Sequence, residues 1–147
     1  MQNVTESVIF THDSYEDMIK HAMDDYPDEC CGILLGSEKT GAIECIRRAV
    51  NSTEAKLSGK SFRIDPIAVR DIELEAQKRG LDFIGFYHSH PDRSAILSAS
   101  DKEQMIPFML YLVISVTAGG CGDIKGYVKG KLYNDIIYRC VGINIVR

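Results

Sequence analysis

Residues 81–101 read LDFIGFYHSHPDRSAILSASD, and the reading of this stretch decides the fold. The run from Leu81 to His90 is apolar and aromatic and meets Pro91, which predicts a strand with a defined end. Side chains alternate between the two faces of a strand, so His88 and His90 share a face at its mouth, above Ile84 and Phe86. Two readings are open for that pair: polar residues closing a strand, or two imidazoles offered to one ion. Further on, Ser98-x-x-Asp101 and Ser100-x-x-Glu103 both match a capping box, which predicts a helix starting near Ser98 or Ser100.

Outward from this stretch, strands and helices alternate. A short strand is expected at Val8–Phe10. Residues 13–25 carry a helical pattern, with Tyr15, Met18, Ile19, Ala22 and Met23 on the apolar face and Pro27 after the end. On that count His21 falls on the polar, solvated side. CGILLG (31–36) and AIECIRRAV (42–50) read as strands around the turn SEKTG, and a polar loop leads to a strand at SFRID (61–65). Pro66 to Arg79 is a helix with proline in its first turn, apolar positions at Ile67, Val69, Ile72 and Ala76, and Gly80 beyond it. MLYLVISV (109–116) is a central strand. After the loop TAGGCGD, residues 124–141 form a hairpin turning at Lys129–Gly130. This order predicts an α/β (α+β) fold, a single domain over 1–147 with a mixed β-sheet flanked by helices.

The composition bounds the function. The 147 residues are 45% hydrophobic and 26% charged, with a net charge of -4. Such a chain buries roughly 68–70% of its unfolded surface, and without a basic run it is not expected to bind nucleic acid. The stretch Met105–Val116 is too short to span a bilayer and contains Pro107, so no membrane association is expected. No export signal precedes an odd count of five cysteines, two of them adjacent. Reduced thiols in a cytoplasmic protein are the expectation.

If the histidines hold an ion, a third ligand is needed, and a catalytic zinc site uses three protein ligands and keeps a position open. A carboxylate or a thiolate has to supply it. Asp92 is nearer in sequence but sits in a turn, where aspartate serves the backbone. Asp101 is better placed, in the first turn of a helix, and capping does not exclude ligation. A hydrolase also needs a base. Glu29 stands before an apolar strand, either as that base or as a solvent-facing strand end; sequence distance does not choose between them. Of Cys30 and Cys31 beside it, Cys31 reads as a small packing residue.

Taken together, Glu29, His88-Ser89-His90, seven residues, Ser98, two residues and Asp101 resemble the JAMM (MPN-plus) metalloprotease family. The flanking DECCGILLG, FRIDP and GFYHSHP also resemble it, and the likeness covers about Phe10 to Val128. The resemblance implies a cytidine-deaminase-like JAMM/MPN fold and zinc held by His88, His90 and Asp101. It also implies Glu29 as proton carrier and Ser98 as hydrogen-bond donor to the oxyanion. The compact length is similar to prokaryotic members that process ubiquitin-like sulfur-carrier proteins, whose extended tails end in glycines and could add to a strand edge. The oligomeric state is not implied.

Other zinc patterns fail. HSHPDR (88–93) departs from the metallo-β-lactamase pattern at Arg93, and no histidine follows residue 90. A zinc deaminase wants His-x-Glu and Pro-Cys-x-x-Cys, which are missing. The alternative from another class is a non-catalytic MPN-type scaffold, as in relatives that have lost their ligands; here the full set is present.

Overall fold

The computed structural model describes residues 7–52 and 63–146. Its elements are β1 (Ser7–Phe10), α1 (His12–Asp25), β2 (Cys31–Ser37), β3 (Ala42–Ala49), α2 (Pro66–Lys78), β4 (Asp82–Pro91), α3 (Ala99–Gln104), β5 (Leu110–Thr117), β6 (Gly120–Leu132) and β7 (Asp135–Ile145). The sheet is mixed, in the order β1-β3-β2-β4-β5-β6-β7. Strands β4 and β5 run parallel, and β2 pairs antiparallel with both β3 and β4. A mixed sheet with helices on it is the class the element order implies. Its closure was not foreseen: β1 pairs in parallel with both β3 and β7 and joins the ends of the sheet.

Strands β2 and β5 are almost wholly apolar because both faces of the sheet are covered. On one face Leu34, Leu112 and Ile114 pack with Phe10, Met18 and Ala22. On the other, Ile33, Leu35 and Val113 pack with Ala76, Phe86 and Tyr111. Each fully buried Leu or Ile contributes about 1.5–3 kcal/mol.

Four local expectations need correction. The buried face of α1 is Ser14, Met18, His21 and Ala22, while Met23 is exposed. Polar partners turn the helix this way. The Ser14 hydroxyl donates to the Ile43 carbonyl at 2.9 Å, and His21, only 3% exposed, meets the Tyr87 hydroxyl. Of the strand expected at SFRID, Ser61 and Phe62 lie outside the described residues and residues 63–65 are not strand; Asp65 instead caps α2 by accepting from the Ile67 N–H at 3.0 Å. Residues 117–123 are mostly strand, because β5 turns directly into β6 at Ala118–Gly119. Finally, β6 and β7 stay paired through Lys129–Tyr138 and Gly130–Ile137, so the hairpin turns at Tyr133–Asn134 instead of Lys129–Gly130. Tyr133 takes the left-handed turn conformation, with φ 57°.

The closed order also bears on the strand edge that an incoming tail would need. Every described strand has a neighbour on both sides, although β1 is short and covers only Ala42–Ile43 of β3 and Gly142–Ile145 of β7. No helix among the described residues is long and apolar enough to cross a membrane.

Candidate active site

Strand β4 positions the two histidines as alternation requires. Tyr87 packs with the α1-side core and Phe86 with the opposite one, so His88 and His90 share the Phe86 face. Both are essentially buried, at 0% and 1% exposure. Their Nε2 atoms lie 3.2 Å apart. Asp101, in the first turn of α3, brings Oδ1 to 3.1 Å from His88 Nε2 and Oδ2 to 3.1 Å from His90 Nε2.

The capping box at Ser98 makes this possible. Asp101 Oδ2 accepts from the Ser98 N–H at 2.9 Å, and Ser98 Oγ accepts from the Asp101 N–H at 3.0 Å. The cap therefore fixes the carboxylate that meets the imidazoles. Of the two boxes in the sequence, only the Ser98 one starts the helix. As a hydroxyl, Ser98 still has its O–H to donate. Asp92 is engaged elsewhere: with φ 57°, it accepts from the Tyr26 hydroxyl at 2.8 Å.

His90 Nδ1 lies 3.0 Å from the Ser94 carbonyl, to which it donates. That bond assigns the tautomer and leaves the neutral ring with a lone pair at Nε2. This lone pair then faces a carboxylate oxygen at 3.1 Å. Two acceptors this close repel each other unless a proton or a cation lies between them.

Glu29 arrives from the segment between α1 and β2. The antiparallel register pairs Cys31 with His88, and one bond beyond it runs from the Ser89 N–H to the Cys30 carbonyl. Continuing the register puts Glu29 opposite His90, on the histidine face. A Glu29 carboxylate oxygen and one nitrogen of each histidine lie within 4.8 Å of one another. The Glu29 side chain is 18% exposed, and its Oε1 has no hydrogen-bond partner among the described residues. Arg93 Nη2 approaches that oxygen at 3.7 Å, beyond hydrogen-bond length. Burial raises the carboxyl's pKa, against the opposing pull of His88, Arg93 and His90. The roles of Arg93 and the Ser94 carbonyl were not visible in the sequence; a backbone carbonyl leaves no signature in residue type.

A cavity of about 460 Å³ opens beside His88 and Asp101, walled by Ile64, Pro66, Val69 and Ile106. The five cysteines all lie among the described residues and none forms a disulfide. Cys30 and Cys31 are buried, and burial pushes the Cys30 thiol up to about 12.

Fold and site together define a mixed-sheet domain with one clustered His/His/carboxylate centre at the mouth of a strand. Residues 11–125 match the model of prokaryotic homologs of the JAB domain, and the chain belongs to that family. It is 29% identical over 109 residues to the desampylase of Haloferax volcanii, covering 70% of this chain and 76% of the relative. It is 28% identical over 111 residues to the CysO-cysteine peptidase of Mycobacterium tuberculosis, covering 75% and 74%. A solution structure of a Desulfitobacterium hafniense protein superposes with a TM-score of 0.77 at 26% identity, over 95% of this chain and 92% of the other. A JAB1/MPN domain protein of Archaeoglobus fulgidus shares the fold, with a TM-score of 0.58 at 16% identity over 95% and 98%. The chain is an enzyme, a hydrolase of the peptidase class.

Proposed function

We propose that the chain is a zinc-dependent peptidase or isopeptidase. It hydrolyses the bond after the C-terminal glycines of a ubiquitin-like sulfur-carrier protein, as one domain working in the cytoplasm. The observation that carries the reading is the meeting of His88 Nε2, His90 Nε2 and the Asp101 carboxylate at 3.1–3.2 Å, with Glu29 close by. Two nitrogens and one carboxylate form a donor set that suits zinc and leaves a position open. The Ser94 bond that leaves a lone pair on His90 Nε2 supports the fit.

His88, His90 and Asp101 would hold the ion. When bound, zinc acidifies a water and polarises the carbonyl to be attacked. Glu29 takes a proton from the attacking water, whose oxygen joins the carbonyl carbon. As the C–N bond breaks, Glu29 delivers that proton to the departing nitrogen. Ser98, whose oxygen accepts from the Asp101 N–H, offers its O–H to the carbonyl oxygen as charge develops there. The substrate class draws support from the names of the two relatives, one a desampylase and one a CysO-cysteine peptidase. The cavity of about 460 Å³ beside His88 and Asp101 supports binding of a substrate segment there.

The test assays zinc content and cleavage of a ubiquitin-like carrier bearing a short peptide after its terminal glycines. The parent and Glu29→Gln should each hold one zinc per chain. The variant should lose about 10²–10⁴-fold in kcat. Absence of zinc and of cleavage in the parent, with zinc supplied, would overturn the reading.

A further inference from the structure

Glu29 lies two residues before the start of β2, outside the regular ladder, and yet it has to stay within reach of two buried imidazoles. The backbone at Cys30 is the link. Cys30 donates its N–H to Ser89 Oγ at 2.8 Å, and Ser89 donates its own N–H to the Cys30 carbonyl at 3.1 Å. An antiparallel pair exchanges two bonds of this kind through its backbones. Here the acceptor for the Cys30 N–H is a side-chain oxygen, so the hydroxyl extends the pairing to the residue next to Glu29.

We propose that Ser89 is a positioning residue for Glu29, its hydroxyl fixing the Cys30 peptide so that the adjacent carboxylate faces His88 and His90. The inference rests on the reading of Glu29 as proton carrier. Ser89 points away from the histidines, on the opposite face of β4, and does not touch the reacting atoms. Its surroundings leave little room for another role. Ser89 is 0% exposed and Cys30 1%, so no solvent can replace the bond. The hydroxyl also adjoins the Cys30 thiol, which burial keeps protonated. The residue between the two histidines is therefore a connection between the ion-facing strand and the segment carrying the proton carrier.

The test measures kcat, KM and zinc content for the parent, Ser89→Ala, Ser89→Thr and Glu29→Gln, using the carrier with its peptide extension. Ser89→Ala should lower kcat by about 10- to 100-fold, the scale of a small misplacement of a catalytic group. KM and zinc content should not change. Ser89→Thr, which keeps a hydroxyl, should return most of the rate. In the Glu29→Gln background, Ser89→Ala should cost little more, since a residue acting through Glu29 has nothing left to position. An unchanged kcat in Ser89→Ala, a rate loss accompanied by loss of zinc, or a full further loss in the Glu29→Gln background would overturn the proposal. Should Ser89→Ala fail to fold, Ser89→Cys, with its weaker acceptor, takes its place under the same criteria. A Glu29→Gln variant with the parent's rate would instead defeat the role of Glu29 itself.

Discussion

Strand β4 carries a buried histidine environment on each face, and the two are built on opposite terms. On the α1 side, His21 Nδ1 meets the Tyr87 hydroxyl at 2.6 Å and its Nε2 lies 3.3 Å from an Asp25 oxygen. Hydroxyl to imidazole to carboxylate is a chain in which donors and acceptors alternate, and it closes without help. On the other side, the Nε2 atoms of His88 and His90 and the Asp101 carboxylate converge, and the bond to Ser94 leaves a His90 lone pair facing an Asp101 oxygen. A buried imidazole beside an acid is thus no sign of a metal in itself. A ring lone pair held against a carboxylate oxygen, as at His90, points to one.

The sharpest way to break this contrast is Asp101→Asn. An amide keeps the size and can still accept from the Ser98 N–H, but it removes the anionic donor. Bound zinc should fall from one per chain to near none, and hydrolysis by about 10³-fold or more. Retention of both metal and rate would erase the distinction between the faces. On the opposite face, Tyr87→Phe removes the partner of a buried ring nitrogen and should cost about 1–3 kcal/mol in chemical denaturation. Zinc content and kcat should stay at the parent's values. A drop in zinc there would show the two environments to be one network.

The smallest expected effect is on pH dependence. Burial holds the pKa of His21 below its ordinary value, with Asp25 opposing that shift. The unfolded chain therefore binds the proton more tightly. The stability that follows from the neutral ring is fully present above about pH 6.5, and is lost as pH falls from there toward the folded pKa. The difference in unfolding free energy between parent and His21→Gln should shrink between about pH 7 and about pH 5. A difference that stays constant over that range would show that His21 does not titrate on unfolding.

How much of this was legible follows from where each residue finds its partner. Two-residue alternation puts His88 and His90 on one face, and the three-residue spacing of Ser98 and Asp101 marks a cap; both are local rules. That the cap's carboxylate is also the histidines' neighbour depends on how α3 sits against β4, which no local spacing encodes. Glu29 reaches the site through the Cys31–His88 register, a pairing across 57 positions that the apolar run CGILLG leaves undetermined. His21 was misread because helical periodicity counts apolar residues, whereas its partner is a hydroxyl 66 residues away. The β6–β7 turn was misplaced for a related reason. Lys129–Gly130 has turn chemistry but stays in the ladder, and Tyr133 turns the chain with a residue that rarely announces it.

The closing ladder sets an order of assembly. Glu29, His88, His90 and Asp101 lie within the central stretch of the chain, but β1 pairs Ser7 with Gly142 and Phe10 with Ile145. During synthesis β2, β4 and β5 can meet as soon as each emerges, and β1 can meet β3 early, while the β1–β7 seam has to wait for β7. Contacts so distant along the chain form slowly, because a long loop must close first. The catalytic strands are then in place before the ring is shut, and the β1–β7 seam closes after them.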